Sequence, residues 1–155
     1  MLGLGIRFLR YAALAALLAP GLALALDWVG VPENGQATRK DLDQIMRQRP
    51  LGANENLRVT PLSNGGRSAT YLMQVRRAEP LHHHTDSDMT MFVVRGEGSI
   101  RIDDRAANVK VGDVIHIPRN TTHAYTNKGS GVSVLVIVYS PAPGPNDLVR
   151  DDETQ

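Results

Sequence analysis

The 155 residues hold five histidines, and their spacing is uneven. Three of them, His82-His83-His84, follow Pro80 in extended context. Side chains alternate along an extended chain, so His82 and His84 share one face and His83 points to the other. Two imidazoles on one strand can hold one metal ion but need a further ligand from elsewhere. His123, which opens a strand after the turn-forming Asn120-Thr-Thr, is the donor the pattern offers. Asp86 and Asp88 stand close enough to add a carboxylate. Several imidazoles with an oxygen and room for water suit a catalytic metal better than a closed structural one. His83 reads as a surface residue, and His116, alternating with Ile115 and Ile117, as a sheet-surface or pocket histidine. Met89 and Met91 share a strand face and read as core filling.

Other chemistries are excluded or left without support. There is no cysteine, so disulfides, thiolate zinc sites and cysteine nucleophiles are ruled out. A formal net charge of +1 gives no basic footprint for nucleic acid. Gly96-Glu97-Gly98 reads as a hairpin turn, since two glycines alone make a weak phosphate loop.

The elements that must position the histidines are short strands. Leu57–Thr60, Ser68–Val75, Met89–Val94, Ser99–Ile102, Val114–Ile117, His123–Thr126 and Val132–Tyr139 are alternating or apolar. Turn signals separate them, at Asn64-Gly65-Gly66, Asp103-Asp104 and Asn127-Lys128-Gly129. Strands at this spacing without intervening helices indicate an all-β antiparallel sandwich or barrel over residues 57–140. Pro141, Pro143 and Pro145 then mark 141–155 as an exposed tail.

The N-terminal third differs in character. Arg7 and Arg10 precede an apolar run from Tyr11, and the small residues Ala23 and Ala25 follow it. This is the signal-peptide pattern, giving residues 1–25 as a signal, cleavage after Ala25 and a periplasmic or secreted mature chain free of the membrane. Residues 26–56 are expected to form a linker and one short helix. Thr38-Arg-Lys-Asp41 resembles a capping box ahead of Leu42, Ile45 and Met46, and the helix stops before Pro50.

The stretch 79–127 resembles the two motifs of the cupin superfamily. Gly112, Pro118, His123 and Asn127 fall in register with the second motif, whose internal glycine is replaced by Asn120, a residue that tolerates left-handed backbone. His82, His84 and Gly96 match the first motif, while its opening glycine position holds Arg76. Its glutamate position falls on Met89 or Asp88, depending on the direction of counting. The resemblance implies a single-domain jelly-roll-like β-barrel with a metal in its open end. His82, His84 and His123 would hold a divalent transition metal (Mn, Fe, Zn, Ni or Cu). The fourth place would fall to Asp88, to water, or to the Met89 thioether.

Cupins of this look include dioxygenases, isomerases and lyases, so the expected function is metal chemistry on a small molecule. The alternative is a non-enzymatic carrier of a metal or small ligand. An open coordination position favours the enzyme, and a closed shell favours the carrier. By analogy the resemblance also implies a homodimer, with strands 68–75 and 132–139 as a possible pairing surface.

Overall fold

The computed structural model describes residues 26–30 and 36–151. The expected signal segment lies outside them. Among the described residues, no helix is long and apolar enough to cross a membrane.

Twelve strands and one helix are present among the described residues. β1 (Asp27–Gly30) and β2 (Thr38–Asp41) form an antiparallel pair ahead of α1 (Leu42–Gln48). The barrel begins with β3 (Leu57–Asn64), β4 (Ala69–Val75), β5 (His82–His84), β6 (Asp88–Arg95) and β7 (Glu97–Ile102). It continues with β8 (Arg105–Lys110), β9 (Val114–Ile117), β10 (His123–Asn127), β11 (Ser133–Ser140) and β12 (Leu148–Arg150). One sheet runs β3-β4-β11-β6-β9 and the other β12-β5-β10-β7-β8, and every pairing is antiparallel. Hydrogen bonding does not close around the barrel, which is a two-sheet jelly roll.

Alternation places the core between the sheets. Met89, Met91 and Val93 of β6 and Leu135, Ile137 and Tyr139 of β11 are all buried there, with Tyr125 of β10. The opposite face of β4 and β11 is also covered. Leu72 and Val134 pack with Leu42 and Leu62, and Trp28, Ile45 and Met46 close over them. The pairing surface expected on strands 68–75 and 132–139 is therefore occupied on that side by the chain's own N-terminal layer.

Four expectations are corrected here. Residues 27–30, read as linker, form a strand that pairs with 38–41, the stretch read as a capping box. The helix cap is Asp41, not Thr38. The Asp41 carboxylate accepts the Gln44 N–H at 2.9 Å, so the capping signal lies three residues later, as Asp41-x-x-Gln44. Gly96 is not a hairpin turn, because β6 and β7 lie in different sheets. It carries the chain between sheets at φ 83°, where a Cβ would meet Ser133 Oγ at 2.7 Å. Finally, the described part of the expected tail, 141–151, does not simply trail away from the barrel. It contributes β12, which pairs with β5 along the whole histidine run, with Leu148 opposite His84, Val149 opposite His83 and Arg150 opposite His82.

Candidate metal centre

β5 displays its histidines as the two-residue period requires. His82 and His84 face inward and are buried, while His83 is half-buried on the other face. β10 lies beside β5 with His123 directly opposite His82. The turn before β10 depends on Asn120, which adopts φ 59° and donates its N–H to the His84 carbonyl at 2.6 Å. The three rings converge, with centroids 4.3 Å apart for His82 and His123, 5.3 Å for His82 and His84, and 5.7 Å for His84 and His123. One nitrogen from each lies within 4.8 Å of the others.

The hydrogen bonds fix which nitrogen is free. His82 Nδ1 lies 2.8 Å from the Pro80 carbonyl, and His123 Nδ1 lies 2.8 Å from the Thr121 carbonyl. A carbonyl only accepts, so both Nδ1 atoms carry the proton and both Nε2 atoms present a lone pair. His84 Nδ1 donates to the Asp147 carboxylate at 2.7 Å, which assigns the same tautomer. Burial lowers all three imidazole pKa values, that of His123 to about 4, so the rings are neutral at pH 7. His84 Nε2 makes only a long contact of 3.4 Å with the Tyr139 hydroxyl, and His123 Nε2 is buried with no partner. Three neutral imidazoles with converging lone pairs, one of them orphaned, form a donor set that fits a transition-metal ion.

Asp147 is the carboxylate that supports this cluster. It is 1% exposed. One oxygen takes His84, and the other accepts the N–H groups of Asp86 at 2.6 Å and Ser87 at 3.0 Å. Burial pushes its pKa up, but these bonds together hold it below the ordinary value, so it is ionised.

Asp88 does not join the histidines. Its carboxylate accepts the Arg119 N–H, Nε–H and Nη2–H at 3.0, 3.0 and 3.1 Å, and these bonds hold its pKa at about 2. The expectation that Asp88 ligates the metal gives way to this ion pair. Met89 sits in the core at 2% exposure. His83 is held by Asp151 at 2.8 Å, and His116 faces outward beside Thr90.

Two hollows flank Tyr139. One, of about 100 Å³, is lined by Met73, Glu79, His82, Leu148 and Arg150 among others. The second, of about 280 Å³, is lined by Tyr71, His84, Asp147 and Leu148 among others. A larger groove of about 690 Å³ lies elsewhere, near Gly96 and Gly129, and holds no histidine.

Glu79 carries no signal in the sequence that singles it out. Its N–H donates to the Tyr125 carbonyl at 2.9 Å, and its carboxylate accepts the Tyr125 N–H at 3.0 Å. Burial pushes its pKa from 4.5 up to about 7, although the Tyr125 bond works against the rise. The folded state therefore holds this proton more tightly than the unfolded chain. Its stabilising contribution is complete below pH 4.5 and is lost as pH rises through about 7. Urea midpoints of the metal-free protein across this window are expected to fall more steeply for wild type than for Glu79→Gln. Parallel curves would contradict the assignment.

Facing antiparallel sheets with an H-x-H strand and a third histidine on the neighbouring strand define a cupin. Residues 69–139 match the Cupin domain family, and the chain belongs to the cupin superfamily. It is 30% identical over 111 residues to an uncharacterised protein of Aquifex aeolicus strain VF5, covering 72% of this chain and 90% of that one. Among solved structures, TT1209 from Thermus thermophilus aligns with TM-score 0.59 and 24% identity, over 67% of this chain and 97% of that one. The Streptomyces nucleoside dehydratase Pac13 aligns with TM-score 0.55 and 22% identity, over 61% of this chain and 78% of that one, and has been solved with uridine in variant forms.

Proposed function

We propose that the chain is a metal-dependent cupin enzyme in which His82, His84 and His123 hold one divalent transition-metal ion beside a pocket for a small molecule. The observation that carries this reading is the set of three converging Nε2 lone pairs, each fixed by a bond at Nδ1. A bound ion would act as a Lewis acid toward an oxygen of the substrate. The protein supplies the rest. Asp147 keeps His84 in the ligating tautomer, and Leu148, Val59 and Tyr71 line the hollow beside it. Glu79, with its pKa near 7 and its place in the same hollow as His82, can hold or release a proton at neutral pH. Binding of uridine by Pac13 supports the idea that a barrel of this fold takes a small molecule, without naming the substrate here. Export is part of the proposal. Arg7, Arg10 and the apolar run to Ala25 support release of the mature chain to the periplasm or beyond.

Three protein ligands leave a coordination position for an exogenous group. Cobalt(II)-loaded protein is expected to change its visible absorption spectrum when azide is added. An unchanged spectrum at saturating azide would indicate a closed shell and favour a metal carrier over an enzyme.

A further inference from the structure

β12 does more than cover the sheet edge. Residues directly opposite each other in an antiparallel pair share a face. Arg150 lies opposite His82 and Leu148 opposite His84, so both point to the side where the imidazoles point. Both also line the 100 Å³ hollow that contains Glu79 and His82. Arg150 stands close enough to His82 for its charge to act on that ring. Yet it is exposed, and among the described residues no hydrogen bond or ion pair engages its guanidinium.

The carboxylates around it, among the described residues, are committed elsewhere. Asp151 takes His83 at 2.8 Å and Thr122 at 3.0 Å. Asp147 takes His84 and two backbone N–H groups. Glu79 accepts from Tyr125 with no cation contributing to its state. Among the described residues, the hollow thus has at its rim a guanidinium with no side-chain partner, apolar walls from Met73, Ile137 and Leu148, and His82 at one side. The planar fork of a guanidinium in this setting matches the two oxygens of a carboxylate. The cavity is far smaller than the roughly 300–1,000 Å³ of sites for drug-sized ligands.

We propose that this hollow is the binding site for a small carboxylic acid, its carboxylate held by Arg150 and its short apolar part lying against Met73, Ile137 and Leu148. This names a substrate class for the metal-site reading above and rests on that reading only for catalysis, since the anion contact is made by the protein alone.

The test uses isobutyrate and its neutral counterpart isobutyramide, titrated into the full mature chain without metal and followed by backbone amide NMR. Isobutyrate is expected to bind about tenfold tighter than isobutyramide, shifting the amides of His82, Leu148 and Arg150. Arg150→Gln should bring the ratio to about one, Arg150→Lys should keep part of it, and Arg101→Gln should leave it unchanged. Equal binding of acid and amide, binding of neither, or a preference that survives Arg150→Gln would overturn the proposal. Failure of the metal reading shows separately: a chain that takes no metal but keeps the Arg150-dependent preference loses the catalytic reading and retains this site.

Discussion

Asp147→Asn is expected to weaken metal binding by about 10–100-fold while leaving the fold nearly as stable. The asymmetry of the Asp147 carboxylate is the reason. Oδ1 accepts two backbone N–H groups, from Asp86 and Ser87, and Oδ2 accepts His84 Nδ1–H. An asparagine at this position keeps its oxygen toward the two N–H donors, because its amide nitrogen cannot accept them. Its NH2 group then faces His84 Nδ1 and donates to it, which moves the imidazole proton to Nε2. The lone pair that pointed at the other two histidines is lost, although no packing has changed. Competition against a chelator of known affinity measures the effect, and urea unfolding confirms that stability is retained. Asp147→Ala should lose both, since it orphans the buried N–H of Ser87 at about 1–3 kcal/mol and also releases the part-buried N–H of Asp86. Wild-type metal affinity in the asparagine variant would show that Asp147 anchors the strand without setting the tautomer.

Gly98→Ala should destabilise the protein by about 3 kcal/mol, at the upper end of overpacking effects. The melting temperature would fall by roughly 10 °C for a domain of this size. A Cβ on Gly98 would lie 2.3 Å from the Tyr125 ring and hydroxyl and 2.6 Å from the Thr126 carbonyl oxygen. Neither neighbour can yield. Tyr125 is wholly buried and its hydroxyl donates to Ser133 Oγ at 2.9 Å, while the Thr126 oxygen is backbone of a paired strand. The same strand carries His123, so relief of the clash would displace a ligand as well. Gly66→Ala is the control, because a Cβ there meets nothing within 4 Å. Thermal unfolding of the two variants side by side checks the contrast, and equal melting points would contradict it.

The parts legible in the sequence are those set by local periodicity. The alternation of His82, His83 and His84 assigns their faces, and Asn120 stands in for a glycine, as its φ of 59° bears out. Most strands between Leu57 and Tyr139 follow from turn residues and alternation, although β3 runs on through Pro61 to Asn64 and β7 begins at Glu97, inside the stretch read as a turn. Long-range geometry is not legible. Asp147 lies 63 residues from His84, beyond three prolines that mask the short alternation of Leu148, Val149 and Arg150. Glu79 stands just before Pro80 in what reads as a loop, and only the pairing of its backbone with Tyr125 turns its carboxyl into the hollow. The spacing of Asp88 from His84 suits a ligand. Spacing gives no account of Arg119, which the turn after β9 brings across to it. The N-terminal pair of strands escapes a sequence reading because neither has a strong apolar alternation, and their stability comes from the layer over Leu72 and Val134.

The most direct test of the metal centre is elemental analysis of residues 26–155, prepared without a histidine tag, beside a His82→Ala/His123→Ala variant confirmed as folded by circular dichroism. We expect close to one transition-metal ion per chain in the wild type and none in the variant. No metal in the wild type after incubation with zinc, manganese, iron and copper, or equal metal in both proteins, would contradict the assignment of these three histidines.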